Sequence, residues 1–133
     1  MLFGKEHVAR YQETDGEEGH EWMGTVTLLL TTTGRRSGKE RTIPLIYQPD
    51  GEAHVIVASN GGADDHPLWY KNIEADAEVK VQVKGDRFTA RARTATPEER
   101  PALWAKMATV WPKYDMYQKK TDRDIPVVVL ERV

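Results

Sequence analysis

Between Gly34 and Arg41 the chain sets Arg35, Arg36, Lys39 and Arg41 against a single acid, Glu40, with glycines at 34 and 38 and a hydroxyl at Ser37. Guanidinium forks match phosphate or carboxylate oxygens two at a time, and glycine lets main-chain N–H groups turn toward an anion. The segment reads as an anion cradle or, more plainly, as a solvated turn whose charges serve solubility. It is not a P-loop: three residues rather than four separate the glycines, and Glu40 stands where a Mg²⁺-binding Ser or Thr should follow the lysine. Each charge-assisted hydrogen bond contributes about 1.5–3 kcal/mol, whereas micromolar binding needs about 8 kcal/mol. A phosphate clamp here needs an apolar moiety beside it, which points to a large cofactor.

Two further stretches carry unusual residue types. "VASNGGADDHPLWY" joins a strand end to the polar pair Ser59 and Asn60, two glycines suited to close backbone approach, and a helix start with His66 and Trp69. Loops at strand ends commonly build sites, although Trp69 taken alone reads as core packing. In "VWPKYDMYQKKT" the spacing of Trp111, Tyr114 and Tyr117 sets three rings on one side of a helical turn. Trp111 suits a core; the tyrosines, beside Lys113, Asp115 and Lys119, look wetter. A phenol of ordinary pKa about 10 stays protonated at neutral pH. It can donate to an oxygen on which negative charge develops, as reduction of a carbonyl requires.

Other chemistries find less support. His7, His20, His54 and His66 lack metal-ligand spacing and the chain has no cysteine, which argues against a metal enzyme and a disulfide framework. Asp64 and Asp65 are neighbours in a loop, better explained by helix capping than as an acid–base dyad. Ser59, His66 and Asp64 lack a nucleophile elbow. A net charge of −2 and a pI near 6.1 disfavour general binding to nucleic acid or membranes. No apolar run is long enough to span a bilayer or act as a signal peptide, so a cytoplasmic protein is expected.

The elements that must position these residues can be read in order along one expected domain, 1–133. Residues 3–12 suggest a helix, followed by an acidic loop to about residue 20, an N-terminal part that could move. Thr25–Thr33 is a β-branched and Leu-rich strand, Lys39–Gln48 its return, and 53–59 a third strand of a meander after the Asp-Gly turn at 49–51. Pro67 opens a short helix ending before Ala77. Residues 78–84 and 86–94 alternate around a "KGD" turn as a hairpin. Thr96 caps a helix with Pro97 in first position and Glu99 three after the cap, running to about Val110. An aromatic-rich connector leads to the strand "IPVVVLERV". About six mostly antiparallel strands with two to four helices predict a mainly β (α+β) fold, a closed or split barrel.

In "LLLTTTGRRSGKERTIPLIY", "VASNGGADDHPLWYKNI" and "DIPVVVLERV", in that order, the sequence resembles the deazaflavin (F420)-dependent nitroreductase and quinone reductase family over roughly residues 20–133. The resemblance implies a split β-barrel of the flavin-binding type holding coenzyme F420, an 8-hydroxy-5-deazaflavin with an anionic phosphate and oligoglutamate tail. By this likeness Arg35, Arg36, Ser37, Lys39 and Arg41 hold the phosphate and tail. Thr42, Ile43 and Pro44 line the ring site, Val57, Ala58, Ser59 and Asn60 contact the ring, and Trp69 walls it. Tyr47 faces the substrate, and Tyr114 and Tyr117 match pocket tyrosines, with Tyr114, Tyr117 and Ser59 as candidate proton donors. The implied reaction is hydride transfer from C5 of the reduced deazaflavin to a quinone, nitroaromatic or activated enone. Alternatives are an FMN-dependent barrel, since the FMN phosphate also suits the basic loop, and a non-catalytic deazaflavin binder. Expected partners are a small-molecule electron acceptor and no nucleic acid, with the chain a monomer or homodimer and weak membrane association through the N-terminus.

Overall fold

The run Val127–Leu130 is apolar at every position because it is buried on both faces. Val128 and Leu130 point into one core and Val127 and Val129 into another, the period of two of a strand. This strand organises the fold seen in a computed structural model that describes residues 1–133. In chain order the elements are α1 (Gly4–Thr14), β1 (Glu21–Trp22), β2 (Thr25–Thr33), β3 (Glu40–Ile46), β4 (Gln48–Asp50) and β5 (Ala53–Val57). A 3-10 turn (Asn60–Gly62) and α2 (Leu68–Ala75) follow, then β6 (Glu78–Val83), β7 (Asp86–Thr94), α3 (Arg100–Val110), α4 (Lys113–Lys119) and β8 (Val127–Arg132).

The strands are antiparallel, with neighbours in the order β1, β2, β6, β7, β8, β5, β4, and β3 pairs with β2. Only Tyr47 separates β3 from β4, so one bent strand joins both ends of this path and the sheet curls into the expected split barrel. The expected meander keeps its pairings, with its middle strand bent. β3 pairs with β2 from Glu40 to Ile46, whereas β4 pairs with β5. Pro44 and Pro49 cannot donate to a ladder, which limits each half to an edge-like role with one neighbour. The count rises from six to eight through the short β1 and β4.

One core fills the curled sheet beneath α2, where Trp69, Tyr70 and Ile73 pack on Leu28, Leu30, Ile56 and Val81. The other lies under α3 and α4, where Leu103, Met107 and Tyr114 meet Val55, Val57 and Val127. The capping box before α3 forms as its sequence predicts: Thr96 N–H donates to Glu99 Oε1 at 2.8 Å and Glu99 N–H to Thr96 Oγ1 at 3.3 Å. Regular helix begins only at Arg100, one turn after the cap. The aromatic connector is itself a helix, α4. No helix is long and apolar enough to cross a membrane.

Candidate active site

The basic loop is a closed turn. Gly34 N–H donates to the Lys39 carbonyl at 2.8 Å, Gly38 N–H to the Gly34 carbonyl at 2.8 Å, and Lys39 N–H to Ser37 Oγ at 3.1 Å. A Cβ at Gly34 would stand 2.7 Å from Ser37 Oγ and 3.2 Å from the Lys39 carbonyl oxygen, so a side chain there would displace the Ser37 hydroxyl from the closure. The turn is anchored from outside: Asn72, buried on α2, accepts from Arg35 N–H at 3.1 Å through Oδ1 and donates through Nδ2 to Thr32 Oγ1 at 3.1 Å. Arg35, Arg36, Lys39 and Arg41 are exposed, and none joins an ion pair; the local acid, Glu40, is taken by Lys80 at 2.8 Å. Four cations therefore remain available to an external anion.

Two hollows collect other anticipated residues, the second of them beside this loop. One, of about 250 Å³, is lined by Pro44, Val57, Ser59, Tyr114 and Tyr117 among the anticipated residues. The other, of about 510 Å³, collects Arg41, Ile43, Asn60 and Trp69. Consecutive residues of β3 and of the 59–61 turn divide between them, and the hollow that includes Arg41 and Asn72 is the one beside the cations.

Several anticipated residues sit elsewhere. Tyr47 is 7% exposed in the barrel core, its hydroxyl 2.8 Å from His20 Nε2, and lines neither hollow, so it does not face a substrate there. Thr42 binds Thr31 hydroxyl to hydroxyl at 2.7 Å and faces a different hollow on the sheet, beside Lys80. Ala58 is fully buried and contributes backbone only: its N–H donates to the Pro126 carbonyl at 2.9 Å. Arg35, Arg36, Ser37 and Lys39 stand on the exposed turn outside both hollows.

The loop carrying Ser59 and Asn60 is held by a residue that sequence reasoning missed. Arg123 donates to the carbonyls of Ser59 at 2.7 Å, Ala63 at 2.7 Å and Ala58 at 3.3 Å, and to His66 Nδ1 at 3.0 Å. In the sequence it is a single cation between Asp122 and Asp124 with no pattern that marks it. From the other side α4 presses on the turn so closely that a Cβ at Gly62 would stand 2.7 Å from the Tyr117 carbonyl oxygen. Tyr114, 5% exposed, is thereby fixed in the wall of the aromatic hollow. Burial, and then the charge Tyr117 would carry, push its hydroxyl well above the usual phenol range. It is a hydrogen-bond donor at any neutral pH.

The N-terminal part folds onto the same hollow. His7 of α1, Trp22 of β1 and Thr27 of β2 complete its lining. Trp22 stacks on Trp111 at 5.9 Å between ring centroids and donates from Nε1 to the Leu2 carbonyl at 2.8 Å. Nothing in the spacing of residues 1–22 signals this wall.

The family described as F420H(2)-dependent quinone reductase matches residues 3–132, which extends the likeness through α1, where the motifs carried it only from about residue 20. The chain is 38% identical over 135 aligned positions to an F420H(2)-dependent quinone reductase of Mycobacterium tuberculosis, covering 95% of this chain and 87% of the relative. Among solved structures, an F420-H2 dependent reductase shares 40% identity at a TM-score of 0.73 over 79% of this chain and 93% of its own. A domain-swapped dimer shares 37% identity at a TM-score of 0.76 over 96% of both chains. The chain belongs to the F420H(2)-dependent quinone reductase family, F420-dependent oxidoreductases whose cofactor is coenzyme F420.

Proposed function

We propose that the cationic turn and its adjoining hollow hold coenzyme F420, and that the aromatic hollow takes the acceptor: a quinone first, and by the same chemistry a nitroaromatic or activated enone. The observation that carries this reading is the set of four unpaired cations tethered through Asn72 to α2, whose Trp69 lines the adjoining hollow. The donor set fits the group: Arg35, Arg36, Lys39 and Arg41 match a phosphate and polycarboxylate tail, while Ile43 and Trp69 offer apolar surface to a tricyclic ring. Reduced F420 supplies a hydride when bound there. The chain's own work is to orient both partners, exclude water between Pro44, Val57 and the aromatic wall, and donate hydrogen bonds from Tyr114 and Ser59 to the acceptor oxygen. Positioning supplies about 7–11 kcal/mol of the barrier reduction, more than any single donor.

Residues 1–133 act as one unit in this reading, in the cytoplasm and without nucleic acid. A homodimer is favoured by the domain-swapped relative, and weak peripheral attachment by the exposed Met1 and Phe3 at the N-terminus. The test is quenching of tryptophan fluorescence by F420, with FMN in parallel. Arg36→Ala and Lys39→Ala should each weaken F420 binding about tenfold, the equivalent of about 1.4 kcal/mol, and more steeply at low salt. Affinity unchanged by both substitutions, or preference for FMN, would overturn the assignment of the turn.

A further inference from the structure

His7 reaches the aromatic hollow from α1, and its imidazole is the one ionisable side chain in that lining other than Tyr114 and Tyr117; no Asp, Glu, Lys or Arg is present. The hydrogen bonds around it assign its protons. Nε2 lies 2.8 Å from the Gly19 carbonyl oxygen and 3.3 Å from Thr27 Oγ1, and the Thr27 hydroxyl itself donates to the Gly19 carbonyl at 2.7 Å. A carbonyl oxygen only accepts, so a bare Nε2 would set two lone pairs against each other at 2.8 Å; Nε2 carries a hydrogen. Nδ1 is then the nitrogen that carries no hydrogen in the neutral ring.

No protein group bonds Nδ1. Nor is it one of the polar atoms sealed without a partner, which are Thr25 Oγ1 and His54 Nδ1. Nδ1 therefore keeps some accessible surface, on a residue that is 2% exposed and lines the hollow. The ring is held there: Trp22 and Tyr11 flank it at 6.1 and 6.3 Å, and Gly19, at φ +108°, lies so close that a Cβ would stand 3.0 Å from His7 Cδ2.

We propose that His7 is a catalytic residue, its Nδ1 contacting the acceptor oxygen in the aromatic hollow and giving it the proton that completes reduction. This rests on the reading of that hollow as the acceptor site. Reduction of a quinone to its hydroquinone takes a hydride, which carries both electrons and comes from the reduced coenzyme, and one proton. The hydride leaves a hydroquinone monoanion. The Nδ1–H bond of the imidazolium breaks as the O–H bond forms, and the ring becomes neutral while Nε2–H still donates to Gly19. Solvent returns the proton to Nδ1. Tyr114 complements this as a fixed donor that polarises the acceptor, because burial makes its own proton costly to release.

The test uses the coenzyme-free protein first. Menadione added to protein with ¹⁵N-labelled histidine should quench Trp22 and Trp111 and shift the His7 Nδ1 resonance while leaving Nε2 in place. Quenching without an Nδ1 shift overturns the role of His7 and leaves the acceptor site standing; absence of quenching overturns both. In turnover, His7→Gln keeps an N–H donor toward Gly19 and removes the titratable nitrogen. It should melt with the wild type, lower kcat about 100-fold, and recover part of that rate with added imidazole. An undiminished kcat, or a loss that imidazole does not relieve in a variant that melts early, overturns the proposal.

Discussion

Gly62 is the point at which the loop of Ser59 and Asn60 meets α4, and replacing it separates backbone strain from packing. Its φ is +84°, and a Cβ would stand 2.7 Å from the Tyr117 carbonyl oxygen, 2.9 Å from Tyr117 Cα and 3.2 Å from Lys120 Cβ. Alanine there meets the left-handed backbone penalty of about 1–2 kcal/mol. It also collides with main chain that cannot rotate aside, so α4 must shift, an overpacking cost of about 1–3 kcal/mol. The sum is about 2–5 kcal/mol. Gly61 is the internal control: its φ is +64° with no heavy atom within 4 Å of a Cβ, so only the first cost applies. With about 4 °C of Tm per kcal/mol at this chain length, Gly61→Ala should melt about 4–8 °C below wild type and Gly62→Ala about 8–20 °C below. Circular dichroism melts of both variants make the comparison, and quinone reduction should show a larger fall in kcat/KM for Gly62→Ala because Tyr114 and Tyr117 move with α4. Equal melting of the two variants would refute the claim that the contact between α4 and the turn sets the wall of the hollow.

Tyr114→Phe removes a donor without opening a cavity, so it should slow turnover about 10–100-fold with melting unchanged; stopped-flow oxidation of F420H2 reads this. Asn72→Ala leaves Arg35 N–H and the buried Thr32 hydroxyl without their partner, costing about 1–3 kcal/mol in urea unfolding and weakening F420 binding together with it. Glu99 is held at a pKa of about 2, first by the Arg93 guanidinium and then by Thr96 N–H, against an ordinary 4.5. Since the folded value is the lower one, its stabilisation is complete above about pH 4.5 and is lost as pH falls toward 2. Wild-type stability should therefore drop more steeply than that of Glu99→Gln across that window in acid melts.

Elements with a local physical signature were legible. β2 spans Thr25–Thr33 as its β-branched and leucine pattern requires, and the β6–β7 hairpin turns where glycine follows Lys84. The hydrogen-bonded cap of α3 was equally plain. What escaped depends on contacts between distant residues. The bend at Tyr47 arises because β3 and β4 answer to different partners, and no alternation of residue types shows where one strand changes allegiance. Tyr47 is assigned to the substrate by the family likeness alone, yet its hydroxyl bonds His20, 27 residues away in sequence. Arg123 and Asn72 are single polar residues whose importance lies wholly in what the fold brings to them. The cationic turn, by contrast, was legible because four like charges in seven residues have only one local acid, Glu40, among them.

The division of the site between legible and illegible parts has a physical origin. Binding a multiply charged tail needs many cations within a few ångströms, and a tight glycine turn places them together at little conformational cost, so the requirement is written into consecutive residues. Enclosing a reacting carbonyl needs apolar walls on several sides, which no single segment can supply. In the proposed acceptor hollow they come from α1 and β1, from β3, from the end of β5 and from α4. Trp22 stacked on Trp111 joins β1 to the junction between α3 and α4. On the proposed assignment, substitution in either wall should therefore alter the acceptor hollow from both sides at once, whereas changes in the turn should act on coenzyme binding alone.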